Sequence, residues 1–188
     1  MAFLRVSDTS EAGIINGLIT TAREWVENGW SRALITQGFI LYMDRFPWAR
    51  LDGNSWPIQN GYYWQGIQLR RPPIQSVTSI TYLDLQLARQ TLSPTLYELK
   101  SNSSPGIVLP TYPNIWPNYF PRPESIQISF IAGYGTTGAS VPARVKLAMK
   151  QLIAHWYSSR EAVGYGSSKQ VELSATALIN SCGWGDYS

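Results

Sequence analysis

The residues best suited to chemistry are few and stand apart from one another in the sequence. His155 is the one histidine and Cys182 the one cysteine among 188 residues. A histidine that acts as a general base, activates a nucleophile or binds a metal needs a second group beside it, and no carboxylate lies at helical spacing on its predicted helix face. We therefore expect His155 to be a helix-surface or interface residue. Cys182 lacks a Cys-x-x-Cys or Cys/His context, so we expect an unreactive thiol.

Two further patterns resemble chemical motifs only in part. The segment 133–138, Gly-Tyr-Gly-Thr-Thr-Gly, follows a predicted strand and precedes a helix as a phosphate-binding loop does. It lacks the lysine of the GxxxxGK[ST] motif and the parallel-sheet context, so a simple turn is the favoured interpretation. Glu24 and Glu27 accompany Arg23 on a predicted helix, where a solvated face is favoured over an acid–base pair. The sequence predicts no enzymatic activity, no cofactor and no metal site.

Three basic residues, Arg144, Lys146 and Lys150, lie in the first turns of the last long predicted helix. Positive charge at a helix N-terminus opposes the helix macrodipole and costs a few tenths of a kcal/mol. Either a partner that attracts this charge or a solvated helix face explains the arrangement.

Aromatic residues are the second unusual feature, with 8 Trp and 11 Tyr in the chain. Two segments rich in Gly, Pro and aromatic residues, 46–66 and 110–123, are predicted to be long loops that form an interface. Trp and Tyr anchor protein interfaces, although local packing of the loops over a sheet explains them equally well. The candidate partner-interface residues are Trp48, Trp56, Tyr62, Tyr63, Trp64, Trp116, Tyr119 and Phe120.

Composition limits the class of protein. Hydrophobic residues make up 44% of the chain, but charged residues only 14%, where about 25% is usual. The net charge of +3 is scattered, which is too weak a signal to indicate nucleic-acid binding by itself. One cysteine cannot form an internal disulfide, which favours a reducing compartment. No signal peptide or membrane span is predicted, and we expect a soluble protein made in the cytoplasm.

The elements that must position these residues follow from hydrophobic periodicity. One-sided apolar spacing predicts helices over 8–28 and from Pro142 to about Ala162, and a short closing helix over 172–180 after a flexible segment at 164–168. Alternating or β-branched segments predict strands at 38–43, 67–69, 77–82, 97–99, 107–109 and 126–131. The sequence therefore predicts an α+β fold, in which N- and C-terminal amphipathic helices pack together and an antiparallel sheet of short strands is inserted between them.

Four ordered segments resemble the head-tail connector (adaptor) proteins of tailed bacteriophages. The first combines Ala22–Asn28, which contains Ala-Arg-x-x-x-Glu, with Arg-Ala-Leu-Ile-Thr-Gln at Arg32–Gln37. The other three are Leu69–Val77, Ile131–Gly135 with Val141 and Pro142, and Ile153–Val163. Together they span most of the chain, from about residue 12 to residue 180.

The resemblance implies a structural virion protein without enzymatic activity. Such adaptors form a ring below the portal vertex, commonly a dodecamer, and join the portal protein to stopper or tail proteins while DNA passes through the central channel. For this chain it implies assembly in the host cytoplasm, a place in the virion neck, transient non-specific contact with viral DNA and no membrane contact. The predicted organisation is one connector domain over 1–188, a β-rich insertion over 39–133 and a docking tail over 169–188.

The resemblance also suggests roles for the candidate residues. Arg144, Lys146 and Lys150 are expected to face the channel or DNA, and Leu178, Ile179, Trp184 and Tyr187 to dock on the portal or on a neighbouring subunit. The aromatic segment from Phe46 to Trp64 and the Pro-rich loop from Pro110 to Pro123 depart from the usual family pattern. An aromatic-rich carbohydrate- or peptide-binding module, with residues such as Trp56 and Trp116 as stacking platforms, is the alternative function.

Overall fold

The structure is a computed structural model that describes residues 11–47, 58–59, 62–63, 66–158 and 168–182. The chain divides into two compact units. Met1–Leu34 and Gly135–Ser188 form the first, a helical unit, and Ile35–Tyr134 forms the second, a β unit. The β unit thus begins slightly before residue 39, where the predicted insertion starts.

Three α-helices form most of the described part of the helical unit: α1 (Ala12–Gly29), α2 (Ala143–Ser158) and α3 (Ser168–Asn180), and a 3-10 turn at Gly138–Ser140 precedes α2. Helix α2 packs against both α1 and α3. Its residues Val145, Ala148 and Leu152 are fully buried at spacings of three and four, so one stripe of α2 faces its neighbours. Both long predicted helices are confirmed, and the closing helix begins at Ser168 rather than residue 172. The predicted end of α2 near Ala162 and the flexible segment up to residue 167 lie outside the described residues.

The turn after α1 corrects the prediction for Glu27. This side chain is only 9% exposed, and its Oε1 accepts a hydrogen bond of 2.8 Å from the backbone N–H of Leu34. The Glu27 carbonyl also accepts one of 3.0 Å from the N–H of Arg32. The solvated face predicted for Glu27 is wrong, because the chain folds back after Gly29 and buries Leu34 beside the helix end. Glu24 is exposed, as predicted.

The described strands of the β unit are all antiparallel and form two sheets and one small hairpin. The strands are β1 Gln37–Met43, β2 Ile58–Gln59, β3 Tyr62–Tyr63, β4 Ile67–Leu69, β5 Ile74–Leu83, β6 Arg89–Thr91, β7 Tyr97–Lys100, β8 Gly106–Pro110 and β9 Ile126–Ala132. The first sheet has the order β1-β9-β5-β6, the second has the order β4-β8-β7, and β2 pairs with β3 in the hairpin. The α+β class is confirmed, with two sheets where one was predicted; β2, β3 and β6 were not predicted.

Strand β9 forms the centre of the first sheet. Its residues alternate between buried and half-buried positions, and Ile126, Ile128 and Phe130 point into the core. Because β9 pairs with β1 on one side and β5 on the other, both of its edges are hydrogen-bonded to other strands. On β1, Phe39 stacks on Phe130 with ring centroids 5.6 Å apart.

The chain crosses itself closely where it enters and leaves the β unit. Gly133 has a φ of 129°, and a Cβ at this position would lie 2.5 Å from the backbone carbon and oxygen of Ile35. The Gln75 side-chain amide donates to Thr36 Oγ1 at 2.9 Å and to the Gly133 carbonyl at 2.6 Å. Only glycine meets both requirements, a positive φ and close backbone approach. Gly133, the first residue of the Gly-rich segment 133–138, therefore has a structural role at this crossing.

Replacement of Glu27 by alanine leaves the buried Leu34 N–H without its acceptor. We expect Glu27→Ala to lower the free energy of unfolding by about 1–3 kcal/mol, measured by urea denaturation. Glu24→Ala, on the same helix but exposed, is the matched control and should change stability by less than about 0.5 kcal/mol. Equal effects of the two substitutions would contradict the buried role of Glu27.

Candidate functional site

An aromatic cluster occupies the end of the first sheet that lies farthest from the chain crossing. Phe46, 2% exposed, stacks almost parallel on Trp116, with ring centroids 4.8 Å apart and an angle of 5°. Tyr119 meets the Phe46 ring edge-on at 5.3 Å, and Tyr82 of β5 lies at 6.2 Å. Aromatic pairs of this geometry stabilise beyond the area that they bury. Phe46, the first residue of one predicted aromatic loop, thus packs against Trp116 and Tyr119 of the other.

Hydrogen bonds attach the Pro-rich loop to the ends of the strands. The backbone N–H of Glu124 donates to Asp44 Oδ1 at 3.0 Å, and Ser125 Oγ donates to the Asp44 carbonyl at 2.8 Å. Further back in the loop, the Phe120 N–H donates to the Leu83 carbonyl at 2.9 Å. Because these bonds reach the ends of both β1 and β5, the loop has a defined position on the sheet.

Exposed apolar side chains lie around this ordered base. The loop exposes Tyr112 by 94%, Ile115 by 72% and Phe120 by 39%. The turn between β5 and β6 adds Leu85 and Leu87, both more than half exposed. We call these five residues the apolar rim. Large apolar side chains that an ordered backbone keeps exposed to solvent are typical of a surface that binds another protein.

The β5–β6 turn is held by one carboxylate. Asp84 Oδ1 accepts hydrogen bonds of 2.9 Å from the N–H groups of Gln86 and Ala88, and Oδ2 accepts one of 2.7 Å from the Gln90 side chain. The Gln90 bond, followed by the backbone bonds, holds the pKa of Asp84 below its ordinary value. Leu87 has a φ of 63°, a conformation that leucine rarely adopts. The turn therefore keeps its leucines exposed at some cost in backbone strain.

The structure places the candidate partner-interface aromatic residues in different environments. Trp116 is 8% exposed in the cluster and Tyr119 is half-buried beside it, so local packing, the alternative to an exposed interface, applies to both. Phe120 is exposed, and Tyr62 and Tyr63 form strand β3. Trp48, Trp56 and Trp64 lie outside the described residues.

The candidate partner-interface residues did not include four members of the apolar rim. Tyr112 and Ile115 lie within the predicted interface loop 110–123, whereas Leu85 and Leu87 lie outside both predicted loops. Their signal was the presence of large apolar residues in turn-rich segments, where no helix or strand period would bury them.

The basic residues of α2 have partners within the helical unit. Arg144 Nη1 donates to the Ser181 carbonyl at 2.8 Å, directly after the C-terminal end of α3. Lys146 Nζ donates to the Ala139 carbonyl at 3.1 Å, and Lys150 is exposed. A cation is favourable at a helix C-terminus, so Arg144 stabilises the end of α3 while it opposes the dipole of α2. This contact accounts for Arg144 without a partner molecule.

The predicted docking tail is partly a folded helix. Ile179 is fully buried and Leu178 is half-buried in α3. Trp30 Nε1 donates to Asn180 Oδ1 at 2.8 Å, which ties the end of α3 to the turn after α1. Ile179 is therefore already packed within its own chain, whereas Trp184 and Tyr187 lie outside the described residues.

His155 and Cys182, the two residues best suited to chemistry, lie in α2 and just after α3. His155 is half-buried beside an open groove of about 420 Å³ between α2 and α3. The groove is lined by Gln151, Ala154, His155, Ser158, Val171 and Ser174, none of them acidic. Cys182 donates to the Leu178 carbonyl at 3.7 Å. Within the described ranges, no group of three or more His, Cys, Asp or Glu residues could hold a metal ion. None of the described helices is long and apolar enough to cross a membrane.

Comparison with known proteins gives a likeness of fold. No family model matches the sequence, and no curated protein matches it. Three solved structures contain a chain that superposes on nearly all of this one. A chain in the virion of a native gene transfer agent (GTA) particle is 19% identical with a TM-score of 0.70, covering 95% of this chain and 84% of that one.

The other two structures are of particle necks. A chain in the neck of the empty GTA particle, computed with C6 symmetry, is 19% identical with a TM-score of 0.72 and covers 98% of this chain and 86% of that one. A chain in the neck of the native GTA particle, computed with C12 symmetry, is 18% identical with a TM-score of 0.69, with coverages of 93% and 83%. At these identities the finding is a shared fold that extends over both units.

The contrast between Trp116 and Tyr112 can be tested by stability measurements. Trp116→Ala removes a buried ring from the aromatic cluster and should cost about 3–5 kcal/mol of unfolding free energy, measured by urea denaturation with circular dichroism. Tyr112→Ala, in the same loop but almost wholly exposed, is the control and should stay within about 0.5 kcal/mol of the wild type. A stable Trp116→Ala protein would contradict the cluster.

Proposed function

We propose that the protein is a structural component of the neck of a phage-like particle, and that it acts there as a head-tail adaptor. The observation that carries the proposal is the fold, which matches chains from GTA virion and neck structures over 93% to 98% of this chain. The four ordered sequence segments that resemble phage connector proteins support it independently. A role in the virion neck follows from both.

A structural role agrees with the surroundings of the chemical residues. The groove beside His155 has no acidic residue in its lining, and Cys182 is half-buried at the end of α3. A catalytic histidine needs an orienting or reacting group beside it. We therefore propose that the protein is not an enzyme.

The adaptor role includes assembly into a ring, for which we propose twelve subunits. The neck structures that contain chains of this fold were computed with C6 and C12 symmetry. In a ring each subunit presents two different surfaces to its two neighbours. A low charge content and exposed aromatic residues suit a subunit whose surface is largely interface.

We assign the partners by surface. The apolar rim of the β unit faces a stopper or tail protein, and residues beyond α3, including Trp184 and Tyr187, dock on the portal protein or on a neighbouring subunit. Lys150, with the exposed side of α2, faces the DNA channel. Weak positive charge suits a channel through which DNA slides, because every neutralised phosphate adds to retention.

The alternative function, an aromatic-rich carbohydrate- or peptide-binding module, has less support. Stacking of a sugar needs an exposed aromatic face, whereas Trp116 is buried against Phe46.

Assembly of the purified protein with portal complexes tests the main proposal. We expect mass photometry and negative-stain images to show a ring of about twelve subunits seated on the portal. A double substitution in the rim, Tyr112→Ser with Ile115→Ser, should leave ring and portal binding intact but prevent the attachment of tails. A protein that stays monomeric and does not bind portals, even in the presence of assembled particles, would refute the adaptor role.

The channel-facing role of Lys150 predicts a change in salt dependence. In an assembled ring, Lys150→Gln should weaken the non-specific binding of double-stranded DNA and make the slope of log affinity against log salt shallower. Lys100→Gln, an equal change of charge on β7, is the control and should leave the slope unchanged. Equal effects of the two substitutions would contradict a channel position for α2.

A further inference from the structure

Leu87, in the turn between β5 and β6, combines two features that do not stabilise the free subunit. Its φ of 63° lies in the left-handed region, where the Cβ of an L-residue crowds the following carbonyl and glycine or asparagine is favoured. Leu87 is also 52% exposed, and Leu85, two residues earlier, is 59% exposed. The folding of the turn therefore does not account for a leucine at this position.

Leu87 differs in this respect from the other described non-glycine residues with a positive φ. These are Ser31, Arg71 and Glu124, and all three are polar. Residues in rarely populated backbone conformations cluster at binding sites, where the surrounding structure holds them in place. The backbone conformation and the exposure of Leu87 together indicate a binding residue.

The β5–β6 turn holds Leu87 through its own hydrogen bonds. The Leu87 N–H donates to the Asp84 carbonyl at 3.0 Å, and the Asp84 N–H donates to the Ala88 carbonyl at 2.9 Å. The Asp84 carboxylate adds its bonds to the N–H groups of Gln86 and Ala88 and to the side chain of Gln90. Because these bonds order the turn before a partner arrives, its leucines bind with little loss of conformational entropy.

Arg89 supplies an exposed charge beside the leucines. Both carboxylate oxygens of Asp84 accept hydrogen bonds from groups within and directly after the turn. Arg89 is exposed, and its Nη1 donates to Thr81 Oγ1 at 3.2 Å. A guanidinium has several N–H donors, so this bond orients the group without using all of them. A carboxylate on a partner protein is the group that complements it.

We propose that the β5–β6 turn anchors the apolar rim to the stopper or tail protein that follows the ring. Leu85 and Leu87 enter an apolar pocket of that protein, and Arg89 binds a carboxylate at the border of the pocket. The inference rests on the proposed adaptor role, and it names the part of the rim and the kind of pocket that determine the fit.

The substitution Leu87→Asn tests the anchor, because a binding residue and a structural residue respond differently. Asparagine adopts the left-handed conformation more readily than leucine, so the melting temperature of the free subunit should stay the same or rise. Heads that carry the variant ring should need about tenfold more tails, or still more, for half-maximal attachment, counted in negative-stain images. Ser31→Asn makes the matched change at an exposed residue of positive φ outside the rim, and attachment should stay normal.

Normal attachment of tails to heads with Leu87→Asn would overturn the inference. A lower melting temperature of this variant would assign Leu87 a structural role and would overturn it too. Loss of ring formation or of portal binding would assign the turn to a contact with a second copy or with the portal, which also contradicts the proposal. A wild-type protein that neither forms rings nor binds portals would instead refute the adaptor role itself.

Reversal of the charge at Arg89 tests the carboxylate of the partner. Arg89→Glu should weaken the attachment of tails about tenfold or more, because it places like charges opposite each other at the border of the pocket. Lys100→Glu, an equal change of charge on β7, is the control and should leave attachment unchanged. Normal attachment with the Arg89 variant would overturn the acidic border.

Discussion

The close approach of Gly133 to the backbone of Ile35 is the constraint on which the β unit depends. At this crossing β1 starts and β9 ends, and the pairing of Gln37 with Ala132 begins directly beside it. Gln75 joins the two passes of the chain through one side-chain amide. A side chain at residue 133 would push the two passes apart at the point where the pairing of β1 with β9 begins.

Much of the sequence resemblance to connector proteins comes from residues at this same crossing. Three of its four segments contribute to this place, through Thr36, Gln75 and Gly133. The first segment also contains Arg32 and the Leu34 that bonds to Glu27, in the turn that closes α1. The resemblance thus consists largely of residues that build the fold. The apolar rim, which we propose binds a partner, lies outside these segments.

Aromatic residues have two structural roles at the end of the first sheet that lies away from the crossing. Phe46 and Trp116 pack against each other and give a Pro-rich loop a fixed position. With that loop fixed, Tyr112 and Ile115 can be exposed without loss of order. A core inside the loop and an apolar surface outside it are consistent with a subunit that completes its structure by assembly. The low charge content of the chain is also consistent with a subunit whose surface becomes buried in an assembly.

The sequence by itself determined the class of fold and most of the long elements. One-sided burial is a local property, so the periodicity of α2 and the alternation of β9 predict their structure without knowledge of their neighbours. Only the tertiary structure decided the burial of Glu27, the packing of Trp116 and the bond from Arg144 to the end of α3. Each of these depends on a partner that no local period specifies, in the case of Arg144 a carbonyl 37 residues away. The sequence therefore identified which side chains were unusual, and the contacts made on folding determined which of them remained available to a partner.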